Sequence, residues 1–420
     1  MGLNIGSGLT FTSGISLTLP PTAPGAPTIG LATATSATTA TVAFTAPVNN
    51  GGATITSYTA TSNPSGITGT LNQAGSGTIT VTGLADNTSY TFTVTATNSV
   101  GTSSPSASSN SIATPPLVPP LAQTNGWFAG GSTFTPGVGS VYFSTVDRIN
   151  YATDTATASV RGPLSSVKYG ASAAGTGNDG WVAGGGPNST NSMVSRITYA
   201  SDTNTASVRG PLAVGNTAMG AVSDNTTYGW FGGGFSGSIV QRITYTTDTA
   251  TSNTRGPLTK NTFWLYSTGN TTNGWFGGGR SSASVVDRIT YATDTDIASV
   301  RGPLTISSEE GAAIGNLDYG WFGGGYMPGS GRISTITRIT YATDTATSVN
   351  RGPLSGGVSS MGTSGTNTYG WFGGAYGPGP IATNRLSRVD RIEYANDNVI
   401  ASIRGPLSVT RIQTAGTGRQ

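Results

Sequence analysis

The feature that most constrains the fold is a three-part pattern that recurs six times after residue 120. Each copy contains a GW(F/V) element followed by glycines, then R-I-x-Y, then RGPL. The first element begins at Gly126, Gly180, Gly229, Gly274, Gly320 and Gly370. The second begins at Arg148, Arg196, Arg242, Arg288, Arg338 and Arg391, and the third at Arg161, Arg209, Arg255, Arg301, Arg351 and Arg404. The spacing from the second to the third is 13 residues in every copy. Repeats of about 50 residues are typical of β-propeller blades.

Each copy predicts four antiparallel strands. In the fifth copy these are residues 311–316, 319–325, 336–343 and 346–352. Asp344 lies in the last hairpin, where we expect it to accept backbone N–H groups in an Asx-turn. The corresponding aspartates are Asp154, Asp202, Asp248, Asp294 and Asp397. The first copy begins at its second strand, so we expect residues 408–418 to pair with the strand at Gly126–Gly131 and close the ring.

The repeated side chains have a structural interpretation and a functional one. We expect the six tryptophans to be core residues between blades, because Trp and Phe of GWF point to opposite faces of a sheet. The twelve repeat arginines suit either a basic ring for polyanions or ion pairs with the six turn aspartates. We favour the ion pairs, because a guanidinium binds carboxylates well.

Residues 21–116 predict a separate sandwich of short alternating strands. The expected strands are residues 28–34, 39–45, 55–62, 69–71, 77–82, 89–99 and 111–113. The segments FTAPVNNGGATITSYTA (44–60) and GLADNTSYTFTVTATNSVGTSSPS (83–106) resemble a fibronectin type III domain. The resemblance implies a tyrosine corner at Leu84 and Tyr90, with Phe44 where that family commonly has Trp. Its usual role is a spacer or an adhesive module.

The repeats at 126–407 resemble kelch repeats in their order of glycine-ending strand, Tyr-containing strand, turn and Pro-Leu connection. The Trp that kelch repeats place after the turn is missing, so the resemblance carries over the blade layout and no functional residue. The fold we predict is therefore all-β. It has an N-terminal extended arm (1–20), a fibronectin type III-like sandwich (21–116), a proline-rich linker (117–124) and a six-bladed, four-stranded kelch-like propeller (125–420).

Composition excludes much chemistry. The chain has no Cys and no His, so thiolate nucleophiles, imidazole bases and imidazole or thiolate metal sites are absent. The glutamates are Glu309, Glu310 and Glu393, too few and poorly placed for a sialidase-like site. We therefore expect a protein that is not an enzyme and has no cofactor and no metal. The net charge of +3 is a small excess over few charges, so we expect no nucleic-acid partner.

The N-terminal arm does not have the pattern of a secretory signal. Neither the arm nor the rest of the chain has an apolar run long enough for a membrane span. Its apolar residues recur at short intervals, as in a strand that docks onto another subunit or in a partly ordered terminus. They are Leu3, Ile5, Leu9, Phe11, Ile15, Leu17 and Leu19.

Length variation among the repeats is concentrated between the second and third strands. These connections contain aromatic and proline residues, and we predict that they form a recognition face. The predicted residues are Phe134, Tyr142, Phe143, Phe235, Tyr326, Met327 and Tyr376. The alternative is that these side chains only pack on the propeller rim.

Arm, spacer and propeller in this order resemble bacteriophage virion proteins such as fibres, spikes or capsid-surface protrusions. The resemblance implies a structural and adhesion protein, oligomeric in the particle. Its expected partners are other virion proteins at the arm and a host glycan, a host protein or a neighbouring subunit at the propeller. The rival interpretations are an extracellular carbohydrate-active enzyme, a bacterial surface adhesin and a cytosolic kelch-type scaffold.

Overall fold

A computed structural model of the chain describes residues 20–36, 38–114, 124–135, 137–186, 191–280, 284–378 and 384–417. The chain divides into two compact units, 1–119 and 120–420. In the described ranges every regular element is a β-strand or a three-residue 3-10 helix, so the fold is all-β. None of the described helices has the length and apolarity needed to cross a membrane. The predicted docking arm, with Leu3 to Leu19, lies outside the described residues.

The first unit is a sandwich of a three-stranded and a four-stranded sheet, as far as residues 20–36 and 38–114 describe it. The first sheet contains, in spatial order, Thr28–Ser36, Thr39–Thr45 and Gly77–Thr82. The second contains Thr68–Leu71, Ile55–Asn63, Ser89–Asn98 and Ile112–Ala113. The predicted bounds agree with these to within two residues.

The sandwich core contains alternate residues of both sheets, which is the pattern expected when each strand buries one face. Phe44 occupies this core and packs against Tyr58 with ring centroids 4.2 Å apart. The tyrosine corner is also present: the Tyr90 hydroxyl accepts a hydrogen bond from the Ala85 N–H at 2.9 Å, beside buried Leu84. Phe at position 44 thus changes the core volume and leaves the fold intact.

The second unit is a six-bladed propeller built, within the described ranges, from six four-stranded antiparallel sheets. Blade one contains, from its inner to its outer strand, Ala415–Thr417, Asn125–Ala129, Val146–Asn150 and Ser159–Arg161. Blades two and three contain Ser172–Gly175, Asp179–Ala183, Val194–Thr198 and Ser207–Arg209, and Gly220–Ser223, Tyr228–Gly232, Val240–Thr244 and Asn253–Arg255. Blades four and five contain Tyr266–Gly269, Asn273–Gly277, Val286–Thr290 and Ser299–Arg301, and Ala312–Gly315, Tyr319–Gly323, Ile336–Thr340 and Val349–Arg351. Blade six contains Gly362–Gly365, Tyr369–Tyr376, Arg385–Glu393 and Ser402–Arg404. The innermost strands contact one another in cyclic order, so the ring is closed.

Closure occurs in blade one, as the sequence predicts. Ala415 pairs with Ala129, and Thr417 pairs with Trp127. Arg411, just before this strand, is fully buried and its Nη2 lies 2.9 Å from the carboxylate of Asp147, which is also fully buried. The C-terminal strand therefore brings a buried ion pair as well as backbone hydrogen bonds to the blade.

Two details of the predicted hairpins are wrong. The YAT segment continues no strand; it forms a 3-10 helix in every blade described. These helices are Tyr151–Thr153, Tyr199–Ser201, Tyr245–Thr247, Tyr291–Thr293, Tyr341–Thr343 and Tyr394–Asn396. The aspartate that follows each helix makes no Asx-turn, because its carboxylate is directed at the preceding blade.

Candidate functional site

The turn aspartates join neighbouring blades through one repeated cluster. In blade four the Asp294 carboxylate accepts the indole N–H of Trp230 at 2.7 Å and Arg242 Nη1 at 2.9 Å, and Arg255 Nε lies 3.4 Å away. The Trp230 ring stacks on Tyr291 with centroids 4.0 Å apart. The same cluster joins every successive pair of blades, including blade six to blade one at Asp154. The repeat arginines are thus ion-paired, and the repeat tryptophans are core residues.

The RGPL element adds backbone hydrogen bonds between neighbouring blades. The Gly256 N–H donates to the backbone carbonyl of Asp294 at 2.9 Å, and the Pro257 carbonyl accepts from Ala298 N–H at 2.9 Å. A Cβ on Gly256 would lie 1.8 Å from the Asp296 carbonyl oxygen, so the approach of the two backbones requires glycine here. Both repeated elements are therefore occupied in holding the ring together, and any recognition must use residues outside them.

Such residues lie on the loop face, by which we mean the connections from second to third strands together with those from fourth strands to the next blade. The two sets bond each other: the Gly131 N–H donates to the Lys168 carbonyl, and the Gly234 N–H to that of Thr262. The connections of blades one and five are two-stranded ribbons, and blade six extends its own second and third strands. The ribbons contain Ser132–Thr135 with Gly139–Tyr142, and Tyr326–Met327 with Gly331–Arg332.

The seven predicted recognition residues all lie on the loop face, with different exposure. Phe235 is 49% exposed. Partly buried positions are Phe134, Tyr142, Phe143, Tyr326 and Met327. Tyr376 is only 9% exposed, contrary to the expectation of an exposed aromatic, because the guanidinium of Arg332 covers its ring at 3.6 Å.

The long connections of blades five, six and one meet in a continuous strip of alternating aromatic and arginine side chains. Arg332 of blade five lies over Tyr376 of blade six at 3.6 Å and 5.9 Å from the Tyr326 ring. Arg385 of blade six lies 5.5 Å from Tyr376 and 5.6 Å from Phe134 of blade one. We call these five residues the aromatic–arginine strip. Tyr142 and Phe143 are outside it, and Tyr142 stacks on Tyr169 at 5.0 Å.

Phe235 belongs to a second group on the loop face, the aromatic cluster of Phe235, Phe263 and Trp264. Phe235 stacks on Phe263 at 4.3 Å, and Trp264 packs edge-on to both rings. Arg280 lies over Phe263 at 5.7 Å and pairs with Glu309 at 3.8 Å. The loop face therefore presents two groups of flat apolar side chains with cations beside them, which is a composition common at binding surfaces.

Burial shifts the pKa of several ionisable groups at this face. It lowers the pKa of the Arg332 guanidinium, a shift that nearby Tyr376 and Glu310 oppose. It raises the pKa of Glu309, against the opposing charge of Arg280. It also lowers the pKa of Lys168 to about 8, because this side chain is fully buried and, within the described part of the chain, donates only to the carbonyls of Gly184 and Met193, both at 2.8 Å.

Sequence reasoning missed Tyr169, Phe263, Trp264, Arg332 and Arg385. Trp264 had a usable signal, since it is the seventh tryptophan and the only one outside a GW(F/V) element. The arginines had a similar one, since they do not belong to R-I-x-Y or RGPL. Among the residues described, no group of three His, Cys, Asp or Glu side chains is placed to hold a metal ion.

Comparison with known proteins identifies one family, and it covers only the first unit of the chain. No curated protein matches the chain. The model of the fibronectin type III domain matches residues 25–112, which are the residues of the first sandwich. This part of the chain is therefore a fibronectin type III domain.

Proposed function

We propose that this chain is a non-enzymatic structural and adhesion protein of a bacteriophage particle. The N-terminal arm anchors it to other virion proteins. The sandwich serves as a spacer, and the kelch-like propeller binds a host glycan, a host protein or a neighbouring subunit through its loop face.

One observation carries the adhesive role. The repeated Trp, Arg and Asp side chains are used between blades, whereas the loop face departs from the repeat and gathers aromatic and arginine side chains from blades five, six and one. Residues that depart from a repeated scaffold on one face favour recognition over stability. The fibronectin type III domain supports the same role, since such domains are structural and adhesive modules.

The rival interpretation, a carbohydrate-active enzyme, needs a pair of carboxylic side chains free to act on substrate. The two glutamates of the loop face do not form such a pair. Glu309 pairs with Arg280 at 3.8 Å, and Glu310 accepts hydrogen bonds from Ser359 and Ser360 at 3.1 and 2.8 Å. These contacts favour a binding protein over a carbohydrate-active enzyme. A glycan-degradation assay distinguishes the two, because only the enzyme would shorten the glycan.

The experiment is quantitative mass spectrometry of purified particles from cells that produce either the full chain or a chain lacking residues 1–19. We expect the full chain at a fixed copy number per particle and the shortened chain in the lysate only, with unchanged circular dichroism. A full chain that is absent from particles contradicts the proposed location. Equal incorporation of both chains contradicts the role of the arm.

A further inference from the structure

The mouth of the central cavity on the loop face is formed by a ring of six residues, one before each innermost strand. They are Gly170, Ala218, Trp264, Glu310, Ser360 and Gln413, and we call them the mouth ring. Each N–H donates to the carbonyl of the preceding member, from Ala218 to Gly170 at 2.8 Å round to Gly170 and Gln413 at 3.3 Å. The six residues thus form a closed circle of backbone hydrogen bonds.

All six members have a left-handed backbone, with φ between 55° and 62°. Glycine suits this conformation, and blade two has it at position 170. A bulky residue there is unusual and costs stability, yet the ring has Trp264 at φ 55° and Gln413 at φ 55°. The conformation therefore belongs to the repeated scaffold, and what distinguishes the six positions is the side chain that each one presents.

The side chains of the ring are unevenly distributed. Blades two and three contribute Gly170 and Ala218, which leave space, whereas the next positions contribute Trp264, Glu310, Ser360 and Gln413. All of these line one cavity of about 120 Å³. This volume is smaller than the about 150 Å³ of a cavity that holds benzene, so a sugar ring would enter it only in part and would project from the mouth.

The polar groups of the cavity leave one carboxylate oxygen as a hydrogen-bond acceptor for a ligand. Wall hydroxyls are used by neighbouring blades: Ser172 donates to the Met219 carbonyl, and Thr363 to that of Ala313. Gln413 Oε1 has no hydrogen-bond partner among the described residues, but it is buried beyond the reach of a ligand in the cavity. Glu310 uses Oε2 for its two serines, and no described residue bonds its Oε1.

The ligand that fits is neutral. Glu310 lies close enough to the Arg332 guanidinium to interact with its charge, so a second cation would meet repulsion there. A sugar ring combines an apolar face for an aromatic side chain with hydroxyl groups for a carboxylate oxygen. Trp264, at the edge of the aromatic cluster, is the aromatic side chain at this mouth.

We propose that the mouth ring binds the terminal pyranose ring of a glycan, with Trp264 stacking on the sugar and Glu310 accepting its hydroxyl groups. This inference rests on the proposed adhesive function and names the ligand class of the loop face. The arginines of the aromatic–arginine strip lie outside the mouth and contact the following part of the glycan.

The test uses the full chain and saturation-transfer NMR with methyl glycosides of glucose, galactose, mannose and N-acetylglucosamine, and with N-acetyl-lysine amide as a cationic probe. The variant W264G removes the aromatic side chain and suits the left-handed backbone, so the relief of backbone strain offsets part of the packing lost from Phe235 and Phe263, and we expect a folded chain with a modestly lower melting temperature. The matched control is A218G, at the same position of blade three. We expect at least one glycoside to bind, with at least a tenfold loss of affinity in W264G and none in A218G.

Three results overturn the proposal: no glycoside binds, only the lysine probe binds, or W264G and A218G bind a glycoside equally well. If W264G does not fold, N-bromosuccinimide oxidation of the unaltered chain decides, because Trp264 is partly exposed while the six repeat tryptophans are at most 3% exposed. A bound glycoside should protect Trp264, and unchanged oxidation contradicts the site. A chain present in particles that binds no glycoside refutes only this inference, whereas glycoside binding by a chain absent from particles refutes only the proposed location.

Discussion

Replacing Asp294 by Asn tests whether the interblade cluster holds the propeller together. The Asp294 carboxylate is 7% exposed and contacts Trp230, Arg242 and Arg255 at 2.7, 2.9 and 3.4 Å. Asn has the same shape and keeps an acceptor for the indole, but it leaves two largely buried arginines without an anion. Breaking a buried ion pair from one side costs about 3–5 kcal/mol. Since both arginines retain access to water, we expect a loss of about 3 kcal/mol, the lower end of that range.

The assay is thermal unfolding of the full chain followed by circular dichroism and tryptophan fluorescence. At about 2–4 °C per kcal/mol for large domains, D294N should unfold roughly 6–12 °C below the unaltered chain. The matched control is D296N, which removes the same charge from an exposed position of the same turn and should change the melting temperature by less than about 2 °C. Equal melting temperatures for D294N and D296N would refute the role of the cluster.

Four further outcomes follow from the structure. Truncation after Leu407 removes the closing strand and Arg411, the buried partner of Asp147. We expect the free energy of unfolding, measured with urea, to fall by at least about 3 kcal/mol, and light scattering to show aggregation through the exposed strand edge. A truncated chain as stable as the full one contradicts closure. Because burial lowers the pKa of Lys168 from 10.5 to about 8, the unfolded chain binds more protons than the folded chain between these pH values. The free energy of unfolding should therefore rise by about 2 kcal/mol from pH 7.5 to 9.5. The variant K168M should not show this rise. Burial raises the pKa of the six interblade tyrosines above 10.0, so above pH 10 the unfolded chain loses their protons before the folded chain does. The free energy of unfolding should therefore fall as the pH rises above 10, and a flat profile there contradicts their burial. Tyr376→Ala should lower the melting temperature more than Tyr326→Ala, because Tyr376 is buried under Arg332, and the reverse order contradicts the packing of the aromatic–arginine strip.

The strand order of the propeller could be predicted because each repeat marks its own strands. The glycines, the Tyr-containing strand and the fixed spacing of 13 residues locate three strands in every copy, and the leftover segment after Leu407 locates the closing strand. The fibronectin type III domain was recognisable because its tyrosine corner and alternating core depend on residues that lie close together in sequence.

Contacts between blades were harder to predict, since their partners lie in different repeats. Trp230 and Asp294 are 64 residues apart, and a single sequence shows that an aspartate occupies a turn without showing that a neighbouring indole reaches it. The burial of Tyr376 depends on Arg332, whose ribbon belongs to the preceding blade. The mouth ring had no sequence signal, because Ala218, Trp264 and Gln413 do not have the glycine signature of a left-handed backbone.

The most direct test of recognition by the loop face is oxidative footprinting of the full chain with and without envelopes of bacterial cells, the hosts that the proposed function implies. Mass spectrometry then gives the oxidation rate of each side chain. We expect protection of Phe235, Tyr326 and Met327 on the loop face. Leu317 and Ile400, exposed in hairpins at the opposite ends of the strands, should oxidise at unchanged rates. Protection of Leu317 and Ile400 with unchanged loop-face rates would contradict recognition by the loop face.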